Sequence, residues 1–80
     1  MNKRVKEVIV AIQNSKIVYA DTNLNTFVRI LKVLEPNTPS KDTLKRHLDL
    51  RGFYYFTTDF GTAYHICRYD NPNYVGLKRN

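Results

Sequence analysis

Basic and hydroxyl side chains cluster in one short segment of the sequence, and they have the chemistry that contact with nucleic acid requires. Lys45 lies one helical turn after Lys41, and the adjacent Arg46 can form a bidentate contact with guanine. If this segment forms a helix, Ser40 lies in its first turn, where a hydroxyl and backbone N–H groups can contact a phosphate. Thr43 is a weaker candidate for contact with base edges. The segment therefore predicts a DNA-binding helix.

Other basic residues are expected to hold phosphates without recognising bases: Arg51, Lys3, Arg4 and Lys6. The 80-residue chain has 13 Lys or Arg against 7 Asp or Glu, a formal charge of +6 and a pI near 9.7. A basic domain of this size favours an anionic partner and is too small for a deep catalytic pocket. We predict double-stranded DNA as that partner.

The sequence has no residue pattern that is typical of a catalytic site or of a metal-binding site. It has no glycine-rich phosphate loop and no paired carboxylates in a plausible pocket, so no enzymatic activity and no cofactor are expected. The soft metal ligands His47, His65 and Cys67 lack a fourth partner for a closed zinc site. Because Cys67 is the single cysteine, an internal disulfide is excluded and a cytoplasmic location is expected. No apolar run approaches the length of a membrane span.

The apolar residues predict the elements that position these groups. Val5, Val8, Ile9 and Ile12 have helical spacing and predict an amphipathic helix over residues 3–14, although a strand over residues 8–12 is the alternative. A short strand follows over residues 17–20. The next helix has three candidate N-caps, Asp21, Thr22 and Asn23, followed by Leu24, Phe27, Val28, Leu31 and Leu34, and it ends at Glu35-Pro36.

The third helix is predicted to begin with Thr38 as N-cap and to end at Arg51-Gly52, with Leu44 and Leu48 on its apolar side. Residues 53–58 and 62–69 then predict a β-hairpin, with Gly61 supplying a positive φ in its turn. Strand alternation should direct two of the four aromatic residues at 53–56 to the core and two outward. A base-stacking role for this aromatic run is a second possibility beside core packing.

The order helix, short strand, helix, helix, hairpin resembles a winged helix-turn-helix domain over Leu24 to Tyr69, and residues 38–48 resemble its recognition helix. The resemblance implies an α+β winged-helix domain over residues 1–70, followed by a flexible basic tail over residues 71–80. It also implies a small bacterial or phage transcriptional regulator that binds selected DNA sequences, with a homodimer possible because one recognition helix contacts few base pairs.

Two alternatives stay open. The chain could be a phage-type interaction module that binds and inhibits a host protein through exposed aromatic residues, with Phe60 at the hairpin tip among them. Residues 7–20 could also form a hairpin ahead of the two helices, an order similar to the DNA-binding repeats of intron-encoded endonucleases. Both this arrangement and the winged helix imply DNA binding.

Overall fold

A computed structural model describes residues 6–70 as two helices and four strands. In chain order these are β1 (Glu7–Gln13), β2 (Lys16–Asp21), α1 (Leu24–Leu34), α2 (Lys41–Arg51), β3 (Phe53–Thr57) and β4 (Ala63–Asp70). The predicted tail over residues 71–80, together with Lys3 and Arg4, lies outside the described residues.

The four strands form one antiparallel sheet in the order β2-β1-β4-β3. β1 and β4, the first and last of the described strands, are therefore neighbours at the centre, and Glu7 pairs with Asp70. β1 and β2 are joined through Asn14 and Ser15, which both have positive φ, 53° and 63°. Positive φ at two central residues is typical of the tight turns that match the twist of a hairpin.

Both helices pack against the same face of this sheet, because each places its apolar stripe there. Phe27 and Leu31 of α1 and Leu44 and Leu48 of α2 are buried together with sheet residues, among them Ile9. Tyr19, Leu24, Tyr54 and Phe56 pack around this cluster. The core is thus a single layer between helices and sheet, and neither of the two helices found in residues 6–70 covers the opposite side of the sheet.

The winged-helix prediction is wrong, because Glu7–Gln13 form a strand where a helix was expected. Val8, Ile9 and Ile12 fit a helical spacing, but with Val10 and Ala11 they form the continuous apolar run of a central strand. β-Branched residues favour that strand, and pairing on both sides satisfies its backbone. The fold is an α+β domain of hairpin, two helices and hairpin, so the alternative of a hairpin over residues 7–20 is confirmed.

The N-cap of α2 is not the residue that was predicted. α2 begins at Lys41 with Ser40 as N-cap, whereas Thr38 is buried with 4% of its surface exposed. The Thr38 hydroxyl donates to the Glu35 carbonyl at 2.6 Å and lies 3.4 Å from that of Leu31. Thr38 therefore satisfies the carbonyl end of α1, since these carbonyls need donors from beyond the helix.

The other predicted helix ends are confirmed, and the predicted strands agree with β2, β3 and β4 to within one residue at each end. Asn23 caps α1 by accepting a hydrogen bond from the Thr26 N–H, and α1 ends before Glu35 and Pro36. Gly52 closes α2 in the left-handed region at φ 85°, and Gly61 has φ 82° in the β3–β4 turn. Within the described residues, neither helix is long and apolar enough to cross a membrane.

Candidate nucleic-acid interface

The outer face of α2 is the side turned away from the core, formed by Asp42, Lys45, Arg46, Asp49 and Leu50. At 100° per residue, Arg46 lies directly opposite the buried pair Leu44 and Leu48. Arg46 is exposed and makes no ion pair with any described residue. Its guanidinium is therefore free to contact an external partner at the middle of this face.

Lys41 and Lys45 lie on one flank of this face, and Lys45 already has a protein partner. Its ammonium pairs with Asp49 at 2.6 Å, and Asp49 also accepts from Arg68 at 2.7 Å. These hydrogen bonds, from Lys45 first and Arg68 second, hold the pKa of the Asp49 carboxyl below its usual value. Lys45 would have to exchange this carboxylate for a phosphate, whereas Lys41 is exposed and forms no ion pair within residues 6–70.

Ser40 and Thr43 form a capping interaction at the start of α2. The Ser40 hydroxyl oxygen accepts from the Thr43 N–H at 3.2 Å, and the two hydroxyls are 3.0 Å apart. This capping interaction uses the donor and acceptor groups that a phosphate contact was predicted to use. Ser40 consequently positions the first turn of α2, with Lys41 directly after it.

Arg51 lies on the other flank of α2, away from Lys41 and Lys45. Its guanidinium is 3.0 Å from His47 Nδ1, and it stands 5.0 Å from the centre of the Phe53 ring. These contacts turn Arg51 toward the start of β3. The structure thus turns Arg51 away from Lys41 and Lys45, although all three belong to α2. Lys6 is exposed directly before β1.

A second surface, the open face, is the side of the sheet that neither helix covers. Strand alternation and register assign to it Val8, Val10, Ile12, Ile17, Ala20, Phe53, Tyr55, Thr57, Ala63, His65, Cys67 and Tyr69. Of the aromatic run, Tyr54 and Phe56 pack on the core and Phe53 and Tyr55 lie on the open face, so the predicted two-and-two division is confirmed. His65 and Tyr69 join them from β4, a grouping that depends on strand register and was missed from sequence.

The candidate metal ligands do not converge. His65 Nε2 and Cys67 Sγ are 2.9 Å apart on β4, whereas His47 lies on α2 with its ring 4.7 Å from that of Tyr54. Across residues 6–70, no group of three or more His, Cys, Asp or Glu side chains could hold a metal ion.

Comparison with known proteins gives no match: no protein-family model, no curated protein and no solved structure matches this chain.

Proposed function

We propose that the protein binds double-stranded DNA through the outer face of α2 and acts by occupying its site rather than by catalysis. The observation that carries this proposal is the position of Arg46. It projects from the centre of the exposed side of a helix whose opposite side is anchored in the core by Leu44 and Leu48. An exposed helix with a central arginine suits the recognition of guanine in a groove.

The dimensions of α2 agree with this role. Its 11 residues span about 16 Å at a rise of about 1.5 Å per residue. The major groove, about 12 Å wide, admits one helix. With Arg46 directed to the base edges, Lys45 on the flank and Lys41 in the first turn of α2 would meet the phosphates of one strand. Asp42 and Asp49 on the same face would oppose non-specific contact and restrict the orientations that bind.

The order of elements also supports the proposal. A hairpin followed by two helices is the arrangement that resembles the DNA-binding repeats of intron-encoded endonucleases. A cytoplasmic location belongs to the same proposal, since DNA is found there in a bacterial cell and Cys67 is a free thiol.

Duplex binding by paired charge-removal variants tests the proposal. The affinity of the chain for a mixed-sequence DNA duplex is measured by fluorescence anisotropy over a series of salt concentrations. Because each lost phosphate contact lowers the slope of log affinity against log salt by about 0.9, Lys41→Ala combined with Lys45→Ala should lower it by about 1.8. Arg46→Ala should instead reduce the preference for sequences selected from a random pool.

The matched control is Arg29→Ala combined with Lys32→Ala on the exposed side of α1. It removes the same total charge from the other helix, so general electrostatic attraction falls equally in both double variants. Equal salt slopes for the two would contradict a specific role for α2. A chain without measurable affinity for duplex DNA would overturn the proposal itself.

The interaction with a host protein stays a prediction. Three exposed aromatic residues of the described part of the chain are available for it: Tyr55 at 61%, Phe60 at 96% and Tyr69 at 54% of their surface. A homodimer also stays a prediction.

A further inference from the structure

The open face carries aromatic rings that already contact one another on β3 and β4. Tyr55 and His65 are paired across the two strands with their ring centres 4.3 Å apart. The Phe53 ring stands edge-on to both, at 5.3 Å from Tyr55 and 6.2 Å from His65. Arg51 adds its guanidinium at 5.0 Å from the Phe53 ring. These mutual contacts restrict the rotamers of the side chains before any partner binds. Binding would therefore cost little further side-chain entropy.

Large parts of these rings remain uncovered. Tyr55 is 61% exposed and Tyr69 is 54% exposed, whereas Val10 and Cys67 in the middle of the open face are buried. A hydrogen bond with Cys67 raises the pKa of the Tyr69 hydroxyl above its usual value. The open face therefore exposes the flat, uncharged rings of Tyr55 and Tyr69 beside the buried apolar side chains of Val10 and Cys67.

Charge is distributed so that an anionic chain can approach the open face. Among the described residues no Asp or Glu belongs to this face. Glu7, Asp49 and Asp70 lie on the helix side, where Arg68 is within 3.8 Å of all three. Arg51 and Lys6 lie at the end of the sheet where β1 begins and β4 ends. Four more basic residues lie within ten positions of that end along the chain: Lys3, Arg4, Lys78 and Arg79.

We propose that the open face binds an unpaired nucleic-acid strand, with bases stacked on Tyr55 and Tyr69 and with Arg51 and Lys6 near its phosphates. Stacking needs a base whose face is uncovered, which an unpaired strand provides and a duplex does not. A second copy of the same face would bring the same cations together, which disfavours self-association. The inference is independent of duplex binding by α2, because the two surfaces lie on opposite sides of the sheet.

Single-strand binding by ring-removal variants tests the inference. Labelled oligothymidine and oligouridine, each about 15 nucleotides long, are titrated with the full chain, and anisotropy and tyrosine quenching are recorded. Tyr55→Leu and Tyr69→Leu should each weaken binding by about 5-fold to 150-fold, the range expected when one stacked base is lost. Tyr55→Trp should retain binding, since it keeps an aromatic face. A difference between the two oligonucleotides would identify DNA or RNA as the preferred strand.

Phe60→Leu is the matched control, because it removes an aromatic ring that is 96% exposed in the β3–β4 turn and is not part of the open face. Circular dichroism and urea unfolding verify that each variant is folded, and a Tyr55 variant that fails this check is replaced by Tyr69→Leu. Absence of binding to both oligonucleotides would overturn the inference, as would equal affinities for Tyr55→Leu, Tyr69→Leu and Phe60→Leu. A wild-type dimer in sedimentation that Tyr55→Leu dissociates would assign the face to self-association instead.

Discussion

The hydroxyl of Thr38 should stabilise the junction between the two helices, and Thr38→Val isolates its contribution. Valine keeps the shape and the branching of threonine but cannot donate to the Glu35 carbonyl, which now receives the hydroxyl at 2.6 Å. That carbonyl retains a second donor, the Thr38 N–H at 3.0 Å. Because the carbonyl is not left without a partner, the loss is that of one ordinary buried hydrogen bond, about 1 kcal/mol.

The expected change is large enough to measure in a chain of this length. A loss of about 1 kcal/mol lowers the melting temperature of a small domain by roughly 4–8 °C. Thr38→Ala should cost about 2 kcal/mol, since it removes the buried methyl group as well as the hydroxyl. Urea unfolding followed by circular dichroism measures both variants.

Thr22→Val provides the control, because Thr22 is exposed in the loop before α1 and its hydroxyl forms no hydrogen bond with a described residue. We expect its free energy of unfolding to stay within about 0.5 kcal/mol of the wild type. If Thr38→Val is as stable as the wild type while Thr38→Ala is destabilised, only the methyl packing of Thr38 matters and the hydrogen-bond reasoning is refuted.

Three further substitutions test the packing, the turn and the charges around α2. Leu48→Ala should lower the free energy of unfolding by about 2–5 kcal/mol because Leu48 is 1% exposed in the core, and a loss below 1 kcal/mol in urea would mean that the site collapses around the smaller side chain. Gly52→Ala should cost about 1 kcal/mol from its left-handed backbone alone, since an added Cβ meets no atom within 4 Å, and an Asn variant should recover part of this cost in the same assay. Because Lys45 and Arg68 lower the pKa of Asp49, its carboxylate stabilises the fold above about pH 4 and ceases to do so as pH falls through the lowered pKa. The urea midpoint of Asp49→Asn should therefore fall less than that of the wild type between about pH 5 and about pH 2, and equal falls would contradict this role.

Local signals predicted most of the elements but not the first one. Asn23, Pro36 and Gly52 mark helix ends through the chemistry of single residues, and the structure uses all three boundaries. The run from Val8 to Ile12 has no such marker, and its apolar residues satisfy both a helical and an extended pattern. Pairing with β2 and β4 decides between them, and β4 lies more than 50 residues away in the chain.

The outer face of α2 and the open face also differ in how much of each could be predicted from local sequence. Lys45 and Arg46 are adjacent on one short helix, so helical spacing was sufficient to place both away from its buried leucines, whereas Lys41 lies about 140° around the helix from Arg46. The ring contacts of Tyr55 with His65 depend on the cross-strand register of β3 and β4, which a hairpin turn of unknown geometry does not specify. Arg51 is the last residue of α2, as predicted, but its stacking on Phe53, which helical spacing does not predict, turns it toward the sheet.

The adjacency of the first and last strands has a consequence for how the chain folds. Each hairpin can form from residues close in sequence, but the β1–β4 pairing joins Glu7 to Asp70 and closes nearly the whole chain. Contacts of such separation form late and slow the folding rate. During synthesis, β1 must wait for its central partner until residue 70 has left the ribosome, so the sheet is completed only after translation of the domain has ended.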